Sequence, residues 1–187
     1  MKKDYILLLI FIVTLLIIFF SKRKTIERIA GEVVTTVQIS ANKLLFNMFK
    51  EKHKKLVLRI FSRIGVEDIS SNIFLDRIVA MIITESSGKE KAVGLSGEIG
   101  LMQIMPKTFQ LLKNKYRVFL GDIKFSDLFD IEKNILVGSL LLYDNYKQSL
   151  RNLDLATQRY NSHTAWLSNE GSEPGKIYLK KVKSLLT

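Results

Sequence analysis

No cysteine occurs among the 187 residues. That excludes disulfide frameworks, thiolate nucleophiles, thiolate-ligated zinc and iron–sulfur clusters, and leaves the redox compartment undetermined. Only two histidines are present, His53 and His163, far apart and outside any short metal-ligand motif, which argues against a zinc enzyme or a histidine relay. With two prolines and ten glycines, the chain has neither a collagenous repeat nor a linker-like composition. Chemistry therefore falls to carboxylates, hydroxyls and amides. What is abundant is apolar: 47% of residues are hydrophobic and 25% charged, enough for one ordinary domain with attachments.

The formal net charge of +11 is unevenly spread. Residues 1–60 hold 12 Lys/Arg against 4 Asp/Glu, whereas residues 61–187 hold 17 against 14. A nucleic-acid binder more usually carries its basic residues over the folded face. Here they follow a strongly apolar segment, so a membrane surface or another polyanion is the expected partner and nucleic acid is not.

Tyr5 to Phe20 is sixteen residues without a charge. As a helix it extends about 24 Å, short of the roughly 30 Å hydrocarbon core, but Lys2, Lys3, Lys22, Arg23 and Lys24 can snorkel at its ends. The run ends Phe19-Phe20-Ser21-Lys22 with no small-residue cleavage site, so residues 1–21 are expected to remain as a transmembrane anchor. The positive-inside rule taken alone would keep the rest of the chain in the cytoplasm. Residues 22–66 are expected to form a basic helical stalk. Ile26, Ala30, Val33, Val37, Ala41, Leu44 and Met48 recur at spacings of four and three in an eleven-residue repeat. That stripe fits a spacer or self-association seam; equally, it fits a helix packed on the domain or lying on the membrane. The cluster Lys50, Lys52, His53, Lys54 and Lys55 is expected on a solvated face.

Residues 67–187 are expected to form a nearly all-α domain. Ser70, Ser71 and Asn72 can cap a helix over about 72–87 that Gly88 ends. Glu85 lies seven, four and three residues after Ile78, Met81 and Ile82, and so shares their apolar face near the helix C-terminus. Desolvation and the negative end of the helix dipole both favour its protonated form, the condition of a general acid. A Glu escaping to solvent at a fraying last turn is the alternative. A glycine-containing loop, residues 92–106, follows; then come helices over 107–117, 130–148 with Asp130 as cap, 153–160 and 176–186.

Glu85-Ser86 at a helix end, Gly100-Leu101-Met102-Gln103-Ile104-Met105-Pro106, Asn134-Ile135 with Gly138, and Tyr160-Asn161 before a last helix holding Tyr178 together resemble the soluble lytic transglycosylase (SLT) domain family. The resemblance covers roughly residues 67–187 and implies the α-helical fold of goose-type lysozyme. By it, Glu85 is the single catalytic acid/base and Ser86 the serine beside it. Met102 and Gln103 line the sugar groove, Tyr160 and Asn161 face the scissile sugar, and Asn134, Ile135 and Gly138 are structural. Arg159, Ser162 and His163 depart from the family's usual small residues. Glu98 stands where alanine is common, as a second carboxylate near the site or a solvated loop residue.

The implied reaction is cleavage of peptidoglycan glycan strands between N-acetylmuramic acid and N-acetylglucosamine, ending in 1,6-anhydro ends. No metal or cofactor is implied. An inner-membrane, single-pass protein with an extracytoplasmic domain follows from the location of that substrate, against the flanking charges. Two alternatives stay open: a muramidase using Glu98 or another acid, and a non-catalytic wall-binding protein of an envelope or secretion machine.

Overall fold

The computed structural model describes the backbone of residues 2–161 and 172–186, and side chains from residue 22 onward within those limits. Expectations for the Tyr5–Phe20 run and for Ser162 and His163 fall outside the described side chains. The helices run in the order α1 (Lys2–Ile64), α2 (Ser71–Ser86), α3 (Pro106–Lys115), α4 (Arg117–Leu120), α5 (Ile131–Gln148), α6 (Leu153–Asn161) and α7 (Glu173–Lys183), with a 3-10 turn at Phe125–Phe129 before α5. Among the described residues there is no strand, only the isolated bridges Val93 to Ile99 and Ile99 to Ile104.

The chain divides into two compact units, Met1–Ala41 and Asn42–Thr187. In the first, Ile26, Val33 and Val37 are exposed at 67%, 56% and 63%, so the apolar stripe has no partner within the unit. Arg23 pairs with Glu27 and Arg28 with Glu32 one turn apart, and Thr35, Thr36 and Ser40 donate to carbonyls one turn back. Among the described residues no helix is long and apolar enough to cross a membrane.

The second unit takes in the last part of α1 together with the residues from 67 onward. Phe46, Val57, Ile60, Phe61 and Ile64 of α1 are buried in its core. The reason is the apolar spacing after Met48, which aims a second stripe at α2: Phe61 meets Phe74 edge-on at 4.6 Å, and Lys50 pairs with Asp76. The Lys50–Lys55 cluster is thus not uniformly solvated. His53 is buried with its ring 4.3 Å from Phe49, and desolvation lowers its pKa. Gly65, at φ 69°, ends α1, with Val66 N donating to Phe61 O in a Schellman closure.

α2 is buried almost all round from Phe74 to Ile83, the mark of a central helix, and α5 is buried from Asn134 to Leu140. Asp130 caps α5 as expected, accepting from Lys133 N at 3.0 Å. α3 stops at Lys115 and restarts as α4, where Tyr116 and Lys115 both turn toward the buried Asp144 on α5. α7 starts three residues earlier than expected, because Ser172 caps it through Gly175 N and Pro174 fits its first turn.

Candidate active site

Glu85 sits in the last turn of α2, half-buried. Burial is the main cause that pushes its carboxyl up to about 7 from the ordinary glutamate range. The neighbouring Tyr178 side chain of α7 draws it back down, and the charge of Glu98 adds to the rise. Tyr160 and Tyr178 are themselves held neutral, their pKa raised well above the usual range by burial first and then by the nearby Glu85 charge. The arrangement is a carboxyl poised to hold or release a proton near neutrality, ringed by neutral phenols.

The loop between α2 and α3 is fastened beneath this carboxyl. Ser86 Oγ donates to Leu101 O at 2.8 Å and Tyr160 Oη to Met102 O at 2.8 Å. Asn134, fully buried on α5, accepts from Met102 N at 2.8 Å and donates to Ile99 O at 3.1 Å and Leu128 O at 2.8 Å. The glycines explain themselves here. A side chain at Gly100, whose φ is +79°, would run into the Asn134 amide; one at Gly138 would strike the Met102 sulfur. Gln103 adopts a left-handed backbone, φ 46°, unusual for a residue with a side chain, and its Nε2 donates to Gly100 O at 2.8 Å. Ser87, two residues after Glu85, is left-handed as well.

Of the residues the resemblance assigns, Glu85, Tyr160, Tyr178 and Glu98 come together. Asn161 ends α6 one residue beyond Tyr160 and is exposed. The expectation that Met102 lines the groove meets a side chain with no exposed surface, packed against Gly138. Ser86 is likewise buried. Both support the loop from below, Ser86 through its bond to Leu101 O and Met102 through its packing against Gly138. Glu98 folds back on its own loop: its carboxylate accepts from Ser96 N at 3.0 Å and lies over Gly94, where a side chain would collide with it. That engagement leaves its charge near Glu85 but ties down the group. Among the described residues no three metal-ligating side chains converge.

The raised pKa has a stability consequence with a definite sign. With its folded pKa near 7 against an ordinary 4.5, Glu85 contributes fully below about pH 4.5, and that contribution is lost as pH rises through 7. Glu85→Gln removes the penalty. Thermal melts should therefore show the variant more stable than wild type at pH 8, on the order of 3 kcal/mol, and equal to it at pH 4. Equal melting at both pH values would mean that the carboxyl is solvated.

An all-α domain that holds one protonatable carboxylate over a glycine-fastened loop defines a lysozyme-like fold class. The sequence profile described as the transglycosylase SLT domain matches residues 67–179, and the chain belongs to that family. It is similar to the membrane-bound lytic murein transglycosylase C of Edwardsiella ictaluri (strain 93-146), 31% identical over 166 residues, covering 82% of this chain and 42% of that one. Among solved structures it resembles the 70 kDa soluble lytic transglycosylase Slt70 of Escherichia coli, with a TM-score of 0.59 and 24% identity over 71% of this chain and 23% of that one. The inactive mutant of the lytic transglycosylase Slt from Pseudomonas aeruginosa gives a TM-score of 0.56 at 21% identity, with the same coverage of 71% and 23%. These structures establish the fold; the chain spans less than half the length of each relative.

Proposed function

We propose that this chain is a membrane-anchored peptidoglycan lytic transglycosylase that cleaves the bond between N-acetylmuramic acid and N-acetylglucosamine and leaves 1,6-anhydro ends. The observation that carries the reading is the half-buried Glu85, its carboxyl pushed up to about 7 beside Tyr178. Glu85 protonates the glycosidic oxygen as the bond breaks, while the substrate's own N-acetyl group supports the positive charge at C1. The same residue, now ionised, takes the proton of the C6 hydroxyl, which closes on C1. A group with a pKa near the working pH serves both steps. Tyr160 and Asn161 orient the sugar, Gln103 holds the loop edge, and neither metal nor cofactor enters a step.

The muramidase alternative needs a second carboxylate to direct water at C1. The bond from Ser96 N to Glu98 favours a structural part for that residue. An idle, wall-binding site would have no use for a protonated carboxyl among neutral phenols. Full-length protein in detergent should therefore clear a suspension of purified peptidoglycan, whereas binding without release of soluble fragments would favour the non-catalytic reading.

The name of the relative from Edwardsiella ictaluri says membrane-bound, which supports membrane association. In our reading residues 1–21 are the anchor, the location of the substrate puts residue 22 onward on the extracytoplasmic side of the inner membrane, and the basic stalk meets that membrane. Envelope or secretion-complex partners fit that location. Protease added to spheroplasts should digest the domain and leave a short N-terminal fragment. Full protection of the domain would contradict this orientation.

A further inference from the structure

Arg77 is a charged residue in the most buried helix of the protein, 6% exposed and two turns before Glu85. Its Nη1 donates to Thr157 Oγ1 at 3.0 Å and its Nη2 to Asp154 Oδ1 at 2.8 Å, both on α6. Lys183 of α7 donates to the other oxygen of Asp154, also at 2.8 Å. Thr157 is completely buried and stands three residues before Tyr160 and four before Asn161, on the helix face that leads to both. Arg77 itself shares a face of α2 with Met81 and Glu85, at spacings of four. One guanidinium thus joins the helix bearing the carboxyl to the helix bearing the sugar-facing pair.

Fold stability alone does not account for it. Nε of Arg77 is buried without an acceptor, and replacing a buried ionic group by an apolar one is often neutral or stabilising. The guanidinium charge also reaches Tyr178, whose hydroxyl faces Glu85. The charged and titratable groups around this point are Glu85 and Arg77 from α2, Glu98 from the loop, Tyr160 and Asp154 from α6, and Tyr178 and Lys183 from α7.

We propose that Arg77 is a positioning residue of the site: its fork holds Tyr160 and Asn161 in register with Glu85, and its charge acts through the neighbouring Tyr178 on the Glu85 carboxyl. The inference rests on the functional reading above. Removing the fork loosens the far wall of the groove, and a misplacement of about 1 Å can cost up to about 10²-fold in rate. Removing the charge weakens the influence of Tyr178 and moves the Glu85 midpoint upward, so the alkaline limb of activity moves to higher pH.

Arg77→Met is the informative variant, because it strands little: Asp154 keeps Lys183, and Thr157 Oγ1 keeps its bond to Leu153 O at 2.7 Å. Arg77→Lys keeps the charge but cannot span both acceptors. Turnover on purified peptidoglycan and the carbon-13 NMR titration of the Glu85 carboxyl, assigned with Glu85→Gln, read the two effects separately. Arg77→Met should lower kcat about tenfold or more with a smaller change in KM, and raise the Glu85 midpoint. Arg77→Lys should lower kcat several-fold and leave the midpoint in place. A folded Arg77→Met with wild-type kcat overturns the clamp, and one with a wild-type midpoint overturns the electrostatic part. If Arg77→Met does not fold, wild-type kcat in Arg77→Lys overturns the clamp and a shifted midpoint there overturns the charge argument. A wild-type chain that releases no glycan fragments would sink the functional reading instead, and the NMR midpoints would still decide this one.

Discussion

Glu85→Gln should leave the domain folded and lower the release of soluble glycan fragments by about 10²- to 10⁴-fold, the usual worth of general acid–base assistance. The amide keeps the shape of the side chain and can still meet Tyr178, but it has no proton to give to the glycosidic oxygen. Burial is what makes the loss so large. The carboxyl is held up to about 7, so a substantial fraction is protonated at neutral pH in the wild type, and the carboxylate of nearby Glu98 is engaged by Ser96 N. Wild-type activity should fall as pH rises through 7, because the acid form is then lost. Near wild-type turnover in Glu85→Gln would remove Glu85 from the chemistry.

Asn134→Leu should be the most damaging substitution away from the carboxyl. Asn134 satisfies Met102 N, Ile99 O and Leu128 O with no access to water; leucine leaves Met102 N and Leu128 O without a partner, while Ile99 O keeps its bond from Ile104 N at 3.1 Å. Each orphaned buried group costs about 1–3 kcal/mol, so the loss should reach roughly 2 kcal/mol or more, a large part of a domain's total stability. Urea denaturation checks the stability, and turnover should collapse with the loop that Met102 and Gln103 belong to. Asn134→Asp keeps the acceptor for Met102 N but turns an oxygen toward two carbonyls, so it should be destabilised too. A loss below about 0.5 kcal/mol in Asn134→Leu would mean that the loop holds its shape without this amide.

The helices were legible because their signals are local. The caps at Asp130 and Pro106, the glycines after α1 and α2, and the apolar face through Ile78, Met81 and Ile82 each act within a turn or two. Glu85 could be placed on that face by spacing alone; what spacing could not decide was whether it escapes to solvent, since that depends on Tyr178 and Tyr160, many residues further on. How much of α1 joins the packed unit was not legible for a related reason. The stripe from Ile26 to Met48 reads as one continuous pattern and is exposed, while Val57, Ile60 and Phe61 follow a second stripe that finds α2. Arg77 left one faint signal, a charge within the apolar run Ile73–Ile83. Its meaning lies in Asp154 and Thr157, which no local pattern links to it. Met102 shows the opposite limit: its motif is plain in sequence, but its burial against Gly138 is a fact of packing.

The most direct test of the account is the chemistry of the cut ends. Purified peptidoglycan is digested with the full-length protein at pH 6, with Glu85→Gln as control, and the soluble fragments are identified by mass spectrometry. A tethered C6 hydroxyl has an effective concentration that can far exceed that of poorly placed water. With Glu85 as the single acid/base of the reaction, 1,6-anhydromuramic ends should dominate in the wild type and be absent from the control. Mostly reducing muramic ends, with the same loss of activity in Glu98→Gln as in Glu85→Gln, would contradict the account and establish a hydrolase with two carboxylates.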